Sequence, residues 1–363
     1  MRVPKFGAGE IEGVEPYLKD AIGRFCEREG IVNTDRHRLT ELFLNSLKAN
    51  SPILQQHQGV GVTEVIPEGR QLINRLCDIL VRPDSNLYGA EHYKTAQDHV
   101  DQGGNVLLVQ NHRSGADSLV MEAVIRRTFG DHCTDDWAYM SGHAVNLYAM
   151  PLLISSGLKR FPIFSVKYQN AAATGDLPMQ DTGCDHQAMT QQNLKAMKAL
   201  RQHTAQGGRM VVLYPEGGRG NNSMKRVQPE TVCVAEVMAK SCHPLLVLPT
   251  YVDGATSILP VARNDNEYNQ FIERCHTGSA NMTIGSPVPY PDLVSFAEDE
   301  TNINQYTEGG FSMDGSIQRS IIADVIAGRI ADLAPSDDQR GPYGTKGLRS
   351  FVDSFRAAFI TAP

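Results

Sequence analysis

The chain has 363 residues, enough for one large hydrophobic core or a large and a small one, and 41% hydrophobic with 21% charged residues excludes wholesale disorder. A formal net charge of −7 argues against a general nucleic-acid binder, which needs a basic face, while leaving room for a local basic pocket around an anionic ligand. No apolar run reaches bilayer-spanning length, so a soluble protein is expected.

The opening residues MRVPKFGAGEIEGVEPYLKD have no apolar signal core, and their acids argue against a transit peptide. The expected location is cytoplasmic, or the plastid stroma for a processed form. Seven cysteines, an odd number without CxxC spacing, suit reduced thiols. Cys133, Cys184, Cys242 and Cys275 each lie within two residues of a histidine, but the spacings match no compact zinc module, and no metal is expected.

In chain order, the first part reads as helical. Leu18, Ala21, Ile22 and Phe25 form one amphipathic stripe, Leu39, Leu42, Phe43 and Leu47 a second, and Leu72, Ile73, Leu76, Ile79 and Leu80 a third. Pro67 suits the first turn of that third helix. Such helices bury their stripes against one another, so a small bundle is expected over 1–83, with VRPDSN as the boundary to a second domain, 84–363. Beyond it, short apolar runs at 105–110, 136–140, 161–166, 209–214 and 244–251 alternate with helical patterns such as 187–206, where Leu194, Met197 and Leu200 mark a face. That alternation predicts an α/β fold, a mixed, mostly parallel sheet flanked by helices. The stretch 170–185 reads as a loop, 260–345 yields only a helix at 316–333, and 347–360 is a last amphipathic segment. There is no internal repeat.

The run NVLLVQNHRSGADS combines a buried strand, a histidine and an acid five residues on. Within one helix, His112 and Asp117 would be rotated ~500° apart. Along an extended strand they would be ~16 Å apart. They meet only if the chain turns between them, and RSGA is a turn-compatible linker. Strand, turn and helix start then place Asp117 in a first helical turn and His112 at the carboxyl end of a strand, where open α/β sheets carry their sites. A carboxylate on one imidazole nitrogen leaves the other as a base. The same spacing also suits a capping acid beside a polar turn histidine.

Three further blocks bear on the choice. LYPEGGRGNN, after the strand RMVVLY, offers Glu216, Gly217, Gly218, Arg219 and Asn221; glycines admit backbone N–H groups to an anion, and arginine binds phosphate bidentately. FPIFSVKYQ places Lys167 and Tyr168 near a strand end, and LLVLPTYVDGA is a buried strand through Pro249-Thr250. Each alone is equally a turn, a solvated lysine or core.

Taken in order, NHxxxxD, a basic block, PEGGR and an apolar strand with proline resemble the glycerolipid acyltransferases. More closely, the chain looks similar to the soluble plant-plastid type of glycerol-3-phosphate acyltransferase, with the resemblance covering roughly 15–290. The resemblance implies direct acyl transfer from an acyl thioester, of acyl carrier protein or coenzyme A, to the sn-1 hydroxyl of glycerol 3-phosphate. That reaction opens phospholipid synthesis. The thioester is a co-substrate and no cofactor is implied. His112, oriented by Asp117, is the implied base; Lys167 and Arg219 are the implied phosphate ligands, within a substrate pocket that includes Tyr168, Glu216, Gly217, Gly218 and Asn221. Transient membrane contact is expected, because the product must reach a bilayer.

Two positions depart from the plastid pattern. Tyr168 stands where a histidine is usual and Asn221 where a second arginine is usual, so Asn222, Ser223, Lys225 or Arg226 are candidates to compensate. Competing readings are a 1-acylglycerol-3-phosphate acyltransferase, a non-catalytic phosphate-ligand binding protein, and a thioester hydrolase in which His112 activates water.

Overall fold

The apolar run at 105–110 forms a strand whose six residues are all buried, with neighbours on both edges. Burial on both faces explains why it reads as continuous Val and Leu rather than as an alternation. The computed structural model describes residues 11–55, 63–142, 153–165, 169, 185–216, 223–262, 267, 270–311, 313 and 315–359.

Along the chain lie α1 (Ile11–Glu29), α2 (Asn33–Gln55), α3 (Pro67–Leu80), β1 (Leu87–Tyr88), α4 (Ala90–Asp101), β2 (Asn105–Gln110), α5 (Asp117–Phe129), β3 (Ala138–Gly142) and β4 (Lys159–Ile163). There follow α6 (His186–Thr204), β5 (Arg209–Leu213), α7 (Val232–Ala239), β6 (Leu245–Asp253), β7 (Asn281–Ile284), β8 (Val288–Pro289), α8 (Tyr290–Glu298), α9 (Glu300–Glu308), α10 (Ile317–Ala331) and α11 (Lys346–Phe359). The fold is α/β, with a helical N-terminal part and a mixed, mostly parallel sheet flanked by helices.

The chain divides into two compact units interleaved along the sequence: 1–85, 114–196 and 254–280 form one, and 86–113, 197–253 and 281–363 the other. In the first unit α1, α2 and α3 pack in succession, and α3 packs on α5. Leu18, Ala21, Ile22, Phe25, Leu39, Phe43, Leu72, Ile73, Leu76 and Leu80 of the three stripes are at most 1% exposed. Pro67 is the first residue of α3, where its missing N–H costs no helical bond. A buried carboxylate ties these elements together. Glu122 of α5 accepts from Arg70 of α3 at 3.0 Å, from Tyr139 of β3 at 2.7 Å and from Thr134. In this unit β3 pairs with β4 in parallel.

In the second unit the strand order is β1-β7-β6-β2-β5. β6, β2 and β5 run parallel, whereas β7 and β8 pair antiparallel with successive halves of the outer edge of β6. Pro249 is tolerated inside β6 because its carbonyl, and with it the side lacking an N–H, faces the break between β7 and β8, where Gly285 donates to it at 2.9 Å. Helix α10, buried along nearly its whole length, packs on β6 and β2.

Three sequence readings change. The predicted strand 161–166 lies at Lys159–Ile163, because Phe164 N–H turns to the Asn193 side chain at 2.7 Å. Leu194 of α6 is 66% exposed and Met197 half-buried; the expected Leu200 is buried, together with Met189 and Ala196. Besides the expected helix at 316–333, found as α10, the stretch 260–345 contains β7, β8, α8 and α9. The predicted loop 170–185 lies almost wholly outside the described residues.

Candidate active site

The carboxyl end of β2 is built by a side chain acting as backbone. Gln110 pairs with Thr250 in the last register position of the β2–β6 ladder. Asn111 then continues the pairing with its amide: Nδ2 donates to the Val252 carbonyl at 2.9 Å, and Oδ1 accepts the Val252 N–H at 2.7 Å. Both polar groups of Val252 are satisfied although the main chain leaves the sheet.

His112 is the next residue, half-buried. Its ring lies 4.5 Å from that of Tyr214, tilted by 30°. Its backbone N–H donates to Glu216 Oε1 at 3.0 Å, while Lys225 N–H donates to Glu216 Oε2 at 3.0 Å. Glu216 is 6% exposed. Burial pushes its carboxyl above the ordinary range, against the pull of those N–H donors, Arg113 and His112. One carboxylate thus ties the backbone of His112 to that of Lys225.

Arg113, 6% exposed, donates from Nη2 to Tyr251 Oη at 3.3 Å and to the Gln339 carbonyl at 3.2 Å, with its guanidinium 5.9 Å from the Tyr251 ring centre. The boundary between the two units falls after this residue. In the other unit, Asp117 is the first residue of α5 and 1% exposed. Its Oδ2 accepts the Ser114 N–H at 2.9 Å, and Ser114 Oγ donates to the Leu259 carbonyl at 2.5 Å while accepting the Ala116 N–H at 3.0 Å. The strand, turn and helix start required by the five-residue spacing are all present.

Of the residues expected at the site, Glu216 is joined to His112, and Asp117 holds the turn that opens α5. Lys167, Tyr168, Gly217, Gly218, Arg219 and Asn221 lie outside the described residues, as does Asn222. Arg226, a candidate to compensate the phosphate pocket, is committed elsewhere. It pairs with the fully buried Asp324 at 2.6 Å and donates to Tyr306 Oη at 3.0 Å. The roles of Asn111, Tyr214, Tyr251 and Gln339 were not read from sequence; a strand ending in an amide residue just before the histidine was the one available signal, for Asn111.

Among the described residues, no group of three or more His, Cys, Asp or Glu side chains could hold a metal ion, and no helix is long and apolar enough to cross a membrane. Burial raises the thiols of Cys77 and Cys275 well above the ordinary range, which makes them poor nucleophiles.

His112 thus stands at the carboxyl end of a central parallel strand, where open α/β sheets carry their sites, with its backbone held by the buried Glu216. Residues 91–264 match the acyltransferase family model, a span that contains His112, Asp117, Lys167 and the whole glycine block. The match supports acyl transfer as the general chemistry of this segment. No curated protein matches the chain.

Proposed function

We propose that the chain transfers an acyl group from a thioester of acyl carrier protein or coenzyme A to the sn-1 hydroxyl of glycerol 3-phosphate. The observation that carries this reading is the Glu216 carboxylate, which accepts from the backbone N–H of His112 and so binds the histidine block to the glycine block. A general base and a phosphate-binding loop held in register are what an acceptor with a hydroxyl and a phosphate requires.

In this mechanism His112, oriented by the Asp117 carboxylate, takes the proton of the sn-1 hydroxyl as the oxygen attacks the thioester carbonyl. The tetrahedral intermediate collapses with loss of the thiolate, which recovers the proton from the imidazolium. The acyl group passes directly to the acceptor, with no acyl-enzyme. Lys167 and Arg219 hold the phosphate by charge-assisted hydrogen bonds, with Tyr168, Asn221 and the Gly217-Gly218 backbone completing the pocket. Glu216 acts from behind, through the backbone. The product is a lysophosphatidate, so transient contact with a bilayer belongs to the proposal.

The test is thioester turnover by the purified protein with acyl-carrier-protein and acyl-coenzyme A donors, with and without glycerol 3-phosphate. Thiol release that requires glycerol 3-phosphate is expected. Equal release without it would establish a hydrolase, and full turnover by His112→Ala would end every reading that uses this base. Arg219→Ala is expected to raise the KM for glycerol 3-phosphate with the fold intact.

A further inference from the structure

Every residue with a part in the proposed mechanism lies within 91–264, yet bonds inside the second unit join this site to a segment near the end of the chain. The Gln339 carbonyl accepts from Arg113 Nη2 at 3.2 Å and from the Met224 N–H at 2.9 Å. The Gln339 side chain accepts from Tyr251 Oη at 3.3 Å and donates to Asp253 Oδ1 at 3.3 Å. Four residues on, Tyr343 Oη accepts the Val227 N–H at 3.1 Å and donates to the buried Asp324 at 3.0 Å. These residues belong to a 3-10 segment, Asp337–Gly344, broken at Gly341, where φ is 58°. A Cβ at Gly341 would run into the Met224 carbonyl, so the close approach requires glycine.

We propose that Asp337–Gly344 is a strap that positions both the His112 turn and the stretch 223–227 leaving the glycine block. Arg113 is then a positioning residue and a ligand of neither substrate. This rests on the reading of His112 as the base. A buried guanidinium is costly to move once it has a carbonyl, a hydroxyl and an aromatic face as partners. Displacing a catalytic group by about 1 Å costs on the order of 100-fold in rate, so a strap of this kind acts on kcat.

The test compares the whole protein with Gly341→Ala and Arg113→Lys by amide hydrogen exchange and by acyl-transfer kinetics. Gly341→Ala is expected to lower protection of the Met224 and Val227 amides about tenfold or more relative to Val212 of β5, and both variants to lower kcat about tenfold or more. The KM for either substrate should stay within about twofold. Unchanged exchange in Gly341→Ala overturns the proposal, as does loosened exchange with unaltered kcat and pH profile. A raised KM for glycerol 3-phosphate at constant kcat in Arg113→Lys would make Arg113 a phosphate ligand instead. Should Gly341→Ala not fold, Tyr343→Phe removes the bond to Val227 without adding bulk, and the same readings apply. If the wild-type protein moves no acyl group, the proposed function falls, and the exchange measurement alone decides the strap.

Discussion

The Glu216 carboxylate accepts the backbone N–H of His112 at 3.0 Å, and with its other oxygen that of Lys225 at the same distance. Replacing it by glutamine keeps one acceptor and turns an amide N–H toward the second donor. Glu216→Gln is expected to cost about 1–3 kcal/mol of stability. It should also lower kcat more than it raises KM. Urea unfolding and steady-state kinetics check the two parts; full activity at lowered stability would remove Glu216 from any positioning role.

The same residue gives a pH signature. Burial holds the Glu216 carboxyl above its ordinary value of 4.5, so the folded chain keeps this proton to higher pH than the unfolded chain does. The resulting stabilisation is complete below that ordinary value and is lost as pH rises through the folded-state value. The stability of the wild type minus that of Glu216→Gln should therefore shrink as pH rises from 4.5. Urea midpoints of both proteins across this range measure it, and a difference that widens with pH would contradict the sign.

Asp117→Asn separates a capping acid from a catalytic one. Asparagine also accepts the Ser114 N–H that Asp117 Oδ2 now accepts at 2.9 Å, so the turn and the start of α5 should survive. Removing the charge should lower kcat by about 10²–10⁴-fold if the carboxylate supports the His112 imidazolium. Unchanged activity at unchanged thermal stability would return Asp117 to a capping role.

Asn111 tests how the strand end is built. Asn111→Asp keeps the acceptor for Val252 N–H but sets a carboxylate against the Val252 carbonyl, where Nδ2 now donates at 2.9 Å. It should destabilise by about 1–3 kcal/mol, and Asn111→Ala, which abandons both buried groups, by more. Thermal unfolding of the two variants ranks them, and equal stability with the wild type would refute the pairing.

Arg70 tests the support beneath α5. Glu122 is fully buried, and Arg70 is its cationic partner at 3.0 Å. Burial pulls the Arg70 guanidinium down, but the Glu122 charge and hydrogen bond override it and hold it above its ordinary value. Arg70→Met leaves a buried carboxylate with Thr134 and Tyr139 and is expected to cost about 3–5 kcal/mol. Adding Glu122→Gln should recover part of the loss, which a double-mutant cycle measures.

Much of the architecture is legible where one physical signal dominates. α1, α2 and α3 bury stripes repeating at helical spacing, and β2 and β5 are apolar runs too short for helices. β7 and β8 escape the sequence reading because they are short strands of ordinary composition, and their pairing depends on where β6 lies. At the site, the histidine, the turn and the acid follow from spacing within a few residues. The duties of Asn111 and Arg113 do not, because the partners that define them, Val252 and Gln339, lie 141 and 226 residues downstream. Glu216 invites a reading toward ligand because it adjoins two glycines, whereas both its oxygens accept backbone amides.

The position of β2 between β5 and β6 has a consequence for biogenesis. Asn105 finds its β5 partner 104 residues further along, and Asn111 its β6 partner 141 residues along. Closing loops of that length makes folding slow and places the β6 pairing late. During synthesis the apolar strand that ends in His112 emerges long before either neighbour exists, with both edges open and adhesive. A ribosome-bound chain that has not yet extruded residue 253 therefore has no finished histidine turn.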